Sequence, residues 1–186
     1  MFKEKGYEVI DLNFGFEDLL VKSFKECIRV NNLQPNPILH KKGEVEYKMV
    51  SPDPIDSYME SLASIVHRDY TTPIVEKKTD LKLLPTYCYV RKYFQESILN
   101  SHSDRGSCEI SLSYCVSGPD WEMKLGYDTI ITKKGNGVIY RGEIPHGRPK
   151  PSSGEVIQIF NHWVISDGPY LKYAYDEGKF KDFYKD

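Results

Sequence analysis

The sequence predicts an α+β protein in which helices come first and a β-sandwich or barrel follows. Three observations carry this. Apolar residues recur at helical spacing in two stretches, 16–30 and 55–70. From Tyr87 onward the pattern changes to short β-prone runs, separated by the turn clusters SDRG, SGPD, KKGNG and KPSSG. Helices before strands, without alternation, argue against βαβ units, and neither GxGxxG nor a Walker A pattern occurs.

In chain order, YEVIDLNF (7–14) reads as a strand entering a helix. That helix carries Phe16, Leu20, Phe24 and Cys27 on one stripe, with Leu19 and Ile28 alongside, and NNLQPNP ends it. EVEYKMV (44–50) reads as a short strand. A Pro-Asp-Pro signal then opens a second amphipathic helix with Ile55, Tyr58, Met59, Leu62, Ile65, Val66 and Tyr70 on its apolar side. Residues 1–80 are therefore expected to be mostly helical support. Strands are expected at 87–94, 109–116, 121–134, 137–144 and 155–165, giving a β-core over 81–168 and a tail, 169–186, that packs on it.

The chain has 186 residues, enough for a single domain with a real core. Fourteen Tyr and eight Phe favour strands and an aromatic interior. A net charge of −2 gives no basic footprint for nucleic acid, so no nucleic-acid partner is expected. No apolar run reaches the ~18–20 residues that span a bilayer, and no signal-like segment opens the chain, so a cytoplasmic protein without a membrane partner is expected. Cys27, Cys88, Cys108 and Cys115 form no CxxC pair and read as reduced thiols. Oligomeric state is not written in the sequence, since no heptad pattern demands a partner.

The chemistry concentrates in LNSHSDRGSCEI (99–110). His102 and Asp104 are two apart, so on extended backbone they point the same way. Two His and one carboxylate are a common ligand set for non-haem Fe(II). His146, in GNGVIYRGEIPHGRP, follows 42 residues after Asp104, a separation that lets a jelly roll fold the segments together. Among the other histidines, His40 sits beside two lysines and reads as solvated, and His67 reads as a surface or helix-end residue. His162 lies in an apolar strand and reads as a hydrogen-bonded core histidine. Cys108 is close enough to offer a thiolate, but a small strand-start residue is the favoured reading. Trp121 and Trp163 read as packing, and Arg105 and Glu109 flank the metal segment.

RKYFQESILNSHSD, EISLSYCVSGPDW, GNGVIYRGEIPHGRP and VIQIFNHWVISDG together resemble the Fe(II)/2-oxoglutarate dioxygenases, in their prolyl 4-hydroxylase-like branch with small bacterial and bacteriophage members. The resemblance spans residues 85–168. It implies a double-stranded β-helix (jelly-roll, cupin-like) core with N-terminal supporting helices. It further implies iron ligands His102, Asp104 and His146, and the cofactors Fe(II), 2-oxoglutarate and O2. The implied activity is hydroxylation of a peptidyl proline, amino acid or small metabolite, with release of succinate and CO2. Tyr93 matches the family tyrosine that hydrogen-bonds the cosubstrate, and Tyr114 on the next strand is a similar candidate.

One position departs from the family. Its usual Arg or Lys for the distal carboxylate is replaced here by Val156. A buried carboxylate without a partner is costly, so the reading requires a substitute. Arg148 is the nearest guanidinium, Arg141 and Lys150 are alternatives, and Gln158 is a neutral donor on the same strand face as Val156. Two other classes stay open at this point. One is a cupin-type metalloenzyme that does not use 2-oxoglutarate, and the other is a non-catalytic jelly-roll binding module.

Overall fold

The computed structural model describes residues 2–42 and 45–184. Its strands are β1 (Tyr7–Asp11), β2 (Leu39–Lys42), β3 (Val45–Lys48), β4 (Val50–Ser51), β5 (Ile55–Tyr58), β6 (Leu83–Tyr93) and β7 (Ile98–His102). They continue with β8 (Ile110–Ser117), β9 (Trp121–Leu125), β10 (Asp128–Thr132), β11 (Asn136–Arg141), β12 (His146–Arg148) and β13 (Val156–Ile165). Helices are α1 (Phe2–Lys5), α2 (Glu17–Asn31), α3 (Ser61–Ile65) and α4 (Thr72–Thr79), and a π-helical segment, Val66–Thr71, joins the last two.

A major sheet in the order β1-β11-β8-β13-β6-β5 faces a minor sheet in the order β10-β9-β12-β7-β4, and β2 and β3 form a separate hairpin. From β6 to β13 the chain crosses between the sheets at nearly every connection, and only the β9–β10 hairpin stays in one. This winding is a double-stranded β-helix.

Strand alternation sorts the side chains of the major sheet. On β8, Ile110, Leu112, Tyr114 and Val116 face outward and join Leu20 and Phe24 of α2, Ala63 of α3, Val66 of the π-helical segment and Val75 of α4 in the larger core. Ile157, Ile159 and Trp163 of β13 and Cys88 and Val90 of β6 belong to the same layer. Their neighbours along each strand point into the barrel. There Tyr93, Cys115, Trp121, Val156 and Phe160 form a second cluster.

The N-terminal region departs from the expectation of mostly helical support. It contributes β1 to one edge of the major sheet, β5 to the other and β4 to the minor sheet. The second helix begins at Ser61, not near Ile55, because Ile55–Tyr58 is drawn into pairing with Lys92–Tyr89 of β6. Met59 then turns at φ 50°, and the Glu60 carboxylate caps α3 by accepting from the Ala63 N–H at 2.8 Å. The run 121–134 is a hairpin of two strands, broken by Gly126 at φ 61°. In the expected strand 44–50, Glu44 lies outside the described residues, and the segment from Val45 forms β3 and β4. At the other end, Tyr184 reaches back to accept or donate at the His67 Nδ1, 2.7 Å away. Among the described residues no helix is long and apolar enough to cross a membrane.

Candidate metal centre and cosubstrate pocket

Strand pairing brings the first histidines together. His102 at the end of β7 is directly opposite His146 at the start of β12, and cross-strand neighbours of this kind touch. Their ring centroids are 4.4 Å apart. Asp104 follows β7 and is held by its own N–H, which donates to the Gly142 carbonyl at 2.7 Å. A methyl group at Gly142 would sit 2.0 Å from the Cys108 carbonyl oxygen and 2.9 Å from the Asp104 Cβ, so this approach requires glycine. Gly147 plays the same part between the two sheet strands, where a Cβ would lie 2.8 Å from the Leu99 carbonyl.

Three acceptors converge as a result. One Asp104 oxygen, Oδ1, lies 3.6 Å from His102 Nε2 and 3.7 Å from His146 Nε2. Each imidazole donates its Nδ1–H to a carbonyl, His102 to Asn100 and His146 to Ile144, both at 2.8 Å. A carbonyl only accepts, so it fixes the tautomer and leaves the Nε2 lone pair pointing at the carboxylate. Burial pushes the His146 pKa down. At Asp104 burial acts upward, but the neighbouring imidazoles, His102 first and then His146 and His162, outweigh it and favour the ionised carboxylate, below its usual range. Lone pairs facing a carboxylate with no proton between them repel, and a divalent cation removes the repulsion. The donor set, two oriented imidazoles and one carboxylate, fits non-haem iron.

Asp104, Cys108 and His162 form a second close group. Burial pushes the Cys108 thiol up to about 12, so it stays protonated, and the Tyr87 hydroxyl lies 3.1 Å from its sulfur. His162 is pushed down to about 4 by burial and is neutral; its Nδ1 lies 2.9 Å from Ser111 Oγ, while its Nε2 has no hydrogen-bond partner. This histidine is therefore in the pocket wall as well as in the core. His67 is a correction: it is fully buried against Trp163 and Tyr184, because the π-helical segment turns it toward the sheet. His40 is in β2, not a loop, and its ring lies 6.3 Å from that of His102.

The cavity around the three acceptors has a volume of about 300 Å³. Arg148 lies two residues after His146, hence on the same strand face, and is 3% exposed. Its guanidinium donates to Thr132 Oγ1 at 3.1 Å and Ser113 Oγ at 3.3 Å, and stacks over Trp121 with 4.8 Å to the ring centroid. No carboxylate among the described residues pairs with it, and burial lowers its pKa. Tyr93 also lines the cavity, packed edge-on against Trp121, with its hydroxyl 3.4 Å from Arg91 Nη1. Gln158 is buried behind Ser113, whose hydroxyl donates to its Oε1 at 3.0 Å.

Tyr114 is not part of the site. Its parity on β8 turns it to the helix side, where its hydroxyl donates to Glu17 Oε1 at 2.5 Å. Its neighbour Ser113 faces the cavity instead, and strand parity relative to Ser111 is the signal that identifies it. Arg141 lies over Phe2, Lys150 pairs with Glu96 on the surface, and Glu109 accepts from the Ile165 N–H, so none of the three reaches the cavity. Trp121 and Trp163 are packing residues, bonded to the Pro149 carbonyl and Thr72 Oγ1. Tyr87, Tyr89, Tyr140 and Met123 line the pocket without any motif to announce them.

This fold is that of the 2-oxoglutarate–Fe(II) oxygenases. The chain is similar in structure to the viral collagen prolyl hydroxylase vCPH of Paramecium bursaria Chlorella virus-1, at TM-score 0.61 and 16% identity, over 88% of this chain and 98% of that one. A Pseudomonas putida prolyl-4-hydroxylase gives 0.64 and 10%, over 88% and 95%. The α-ketoglutarate-dependent carbocyclase SnoK from nogalamycin biosynthesis gives 0.68 and 10%, over 89% and 82%. No sequence family and no curated protein matches the chain.

Proposed function

We propose that the protein is an Fe(II)- and 2-oxoglutarate-dependent oxygenase that hydroxylates a small-molecule or peptide substrate. One observation carries this: a buried guanidinium without an acidic partner shares a small cavity with three converging metal-ligand atoms. An uncompensated buried charge costs several kcal/mol, and 2-oxoglutarate, a dianion, would supply the counter-charge that Arg148 lacks.

In this reading His102 and His146 hold the ion through Nε2 and Asp104 through a carboxylate oxygen, leaving coordination positions for cosubstrate and dioxygen. Iron and 2-oxoglutarate, when bound, supply the oxidising chemistry, with succinate and CO2 as by-products. Arg148 offers its fork to the distal carboxylate, and the Thr132 and Ser113 hydroxyls keep that fork in plane. This replaces the cation absent at Val156. The Asn100 and Ile144 carbonyls hold the imidazoles in one tautomer, and the hydroxyl of Tyr93 offers a further donor. Trp121, Tyr140 and Met123 exclude water around the charged groups, which strengthens their attraction.

Anaerobic addition of Fe(II) and then 2-oxoglutarate is expected to produce the visible charge-transfer band of a chelated keto acid. In His102→Ala the band is expected to vanish, with iron affinity reduced by more than the ~10–100-fold typical of outer-shell changes. Stoichiometric iron binding without the band would replace this reading with a metalloenzyme that does not use 2-oxoglutarate. Absence of iron binding would remove the enzyme reading altogether.

A further inference from the structure

Arg148 and the three metal-facing atoms do not account for the outer part of the cavity. There Tyr87, Tyr89, Phe160 and the His162 imidazole make a nearly continuous aromatic wall. Tyr89 stacks on Phe160 at 4.8 Å and 15°, and on His162 at 5.7 Å and 24°. Tyr87 continues the row, 6.3 Å from Tyr89 at 22°.

Three guanidiniums line the cavity, those of Arg91, Arg105 and Arg148, against the single carboxylate of Asp104. Arg91 is neutralised from behind by Asp56, which accepts two hydrogen bonds at 2.7 and 2.6 Å. Arg148 has its match in 2-oxoglutarate. Arg105 has neither. Its guanidinium lies over the Tyr87 ring, 5.2 Å from the centroid, and no carboxylate among the described residues comes within ion-pair distance of it. The groups it addresses electrostatically are Tyr87 and Cys108, both protonated at neutral pH because burial raises them. Glu109 is near, but it is committed to the Ile165 N–H and senses Arg141. With a divalent ion, Asp104, Arg148 and a dianionic cosubstrate in place, their charges cancel and Arg105 alone is left over.

We propose that this outer part is the substrate subsite, and that it takes a small carboxylate with a flat, unsaturated body. Arg105 receives the carboxylate through its fork, and the body lies against Tyr87 and Tyr89. A guanidinium already seated on an aromatic face is pre-organised for such a contact. The cavity is at the lower end of the ~300–1,000 Å³ usual for small-molecule sites and is shared with the cosubstrate, which selects a small ligand. The assignment rests on the oxygenase reading for where that ligand would react.

The test is calorimetric titration of cinnamate and of the uncharged cinnamamide into the full chain loaded with Ni(II) and saturating 2-oxoglutarate, so that no turnover intervenes. Saturable cinnamate binding is expected, at least tenfold tighter than the amide. Arg105→Ala is expected to erase that preference and Arg105→Lys to restore part of it. Equal binding by Arg105→Ala and wild type overturns the proposal, as does failure of cinnamate to bind. A loss of binding in Arg148→Ala instead assigns the anion to the inner site and also overturns it. The Fe(II)–2-oxoglutarate band is read separately in Arg105→Ala and is expected to be unchanged. Absence of that band in the wild type would strike the oxygenase reading, whereas the Arg105 titrations strike the subsite.

Discussion

The two faces of the major sheet are made by the same strands and do opposite work. On the helix side β8 presents Ile110, Leu112, Tyr114 and Val116, and on the barrel side it presents Ser111, Ser113 and Cys115. The helix face is apolar, and the buried Glu17 carboxylate there receives hydrogen bonds from the Tyr114 hydroxyl and the Phe14 N–H. The barrel face is polar and borders a cavity in which the buried guanidinium of Arg148, carried by β12 of the minor sheet, has no acid. One face completes itself; the other requires a ligand to be complete. Stability is concentrated in the first and function in the second, and period-two alternation lets adjacent residues belong to each.

The largest effect separating the faces is expected from Leu112→Ala. Leu112 is fully buried on the helix side, and its truncation should cost about 2–5 kcal/mol in denaturant unfolding. The folded fraction should still bind 2-oxoglutarate normally, and altered binding would show that the faces are not independent. Arg148→Met tests the converse. Loss of one partner from a buried charge pair costs about 2–5 kcal/mol, so 2-oxoglutarate affinity should fall by roughly 30- to 5,000-fold. The ligand-free protein should become more stable, because a hydrophobic side chain replaces an uncompensated buried cation. If apo stability drops, the barrel face was already satisfied without ligand.

Acid should weaken both faces, since each hides a neutral histidine. His67 and His162 are both driven below the ordinary histidine pKa by burial, His162 to about 4. The unfolded chain takes up protons below about pH 6.5 while these folded groups do not, so stability is present above that pH and is lost as pH falls toward 4. His162 alone accounts for up to about 3 kcal/mol over this window. Urea unfolding at pH 7, 5.5 and 4.5 should show the decline, and a flat profile would place these side chains in water. The smallest effect is expected from Tyr114→Phe. It removes one hydrogen bond to Glu17 and should cost about 1–2 kcal/mol, with unchanged 2-oxoglutarate affinity. Weakened cosubstrate binding would return Tyr114 to the barrel face.

Much of the barrel was legible before folding. The β-runs after Tyr87 needed only alternation and turn residues, and HSD with His146 needed only the chemistry of the side chains. Arg148 was visible as the cation nearest the second histidine. Tyr114 was misplaced because its neighbour Ser113 is equally compatible with either face, and parity shows itself only once the strand is paired. His67 misled for a related reason: a helix-end histidine reads as exposed until the π-helical segment turns it inward. Ile55–Tyr58 carried a helical stripe, yet the open edge of β6 took it as a strand, since sheet hydrogen bonds outweigh a weak local preference.

By itself the sequence determined which groups this protein has for chemistry: two imidazoles, a carboxylate and several guanidiniums, placed on segments of known extension. Local spacing is enough for that, because the reach of neighbouring side chains is set by backbone geometry. Only the tertiary structure decided which guanidiniums have no acid. That property depends on the groups packed around them, Asp56 behind Arg91 and no acid beside Arg148, and it carries an energetic cost only where distant strands close and remove water.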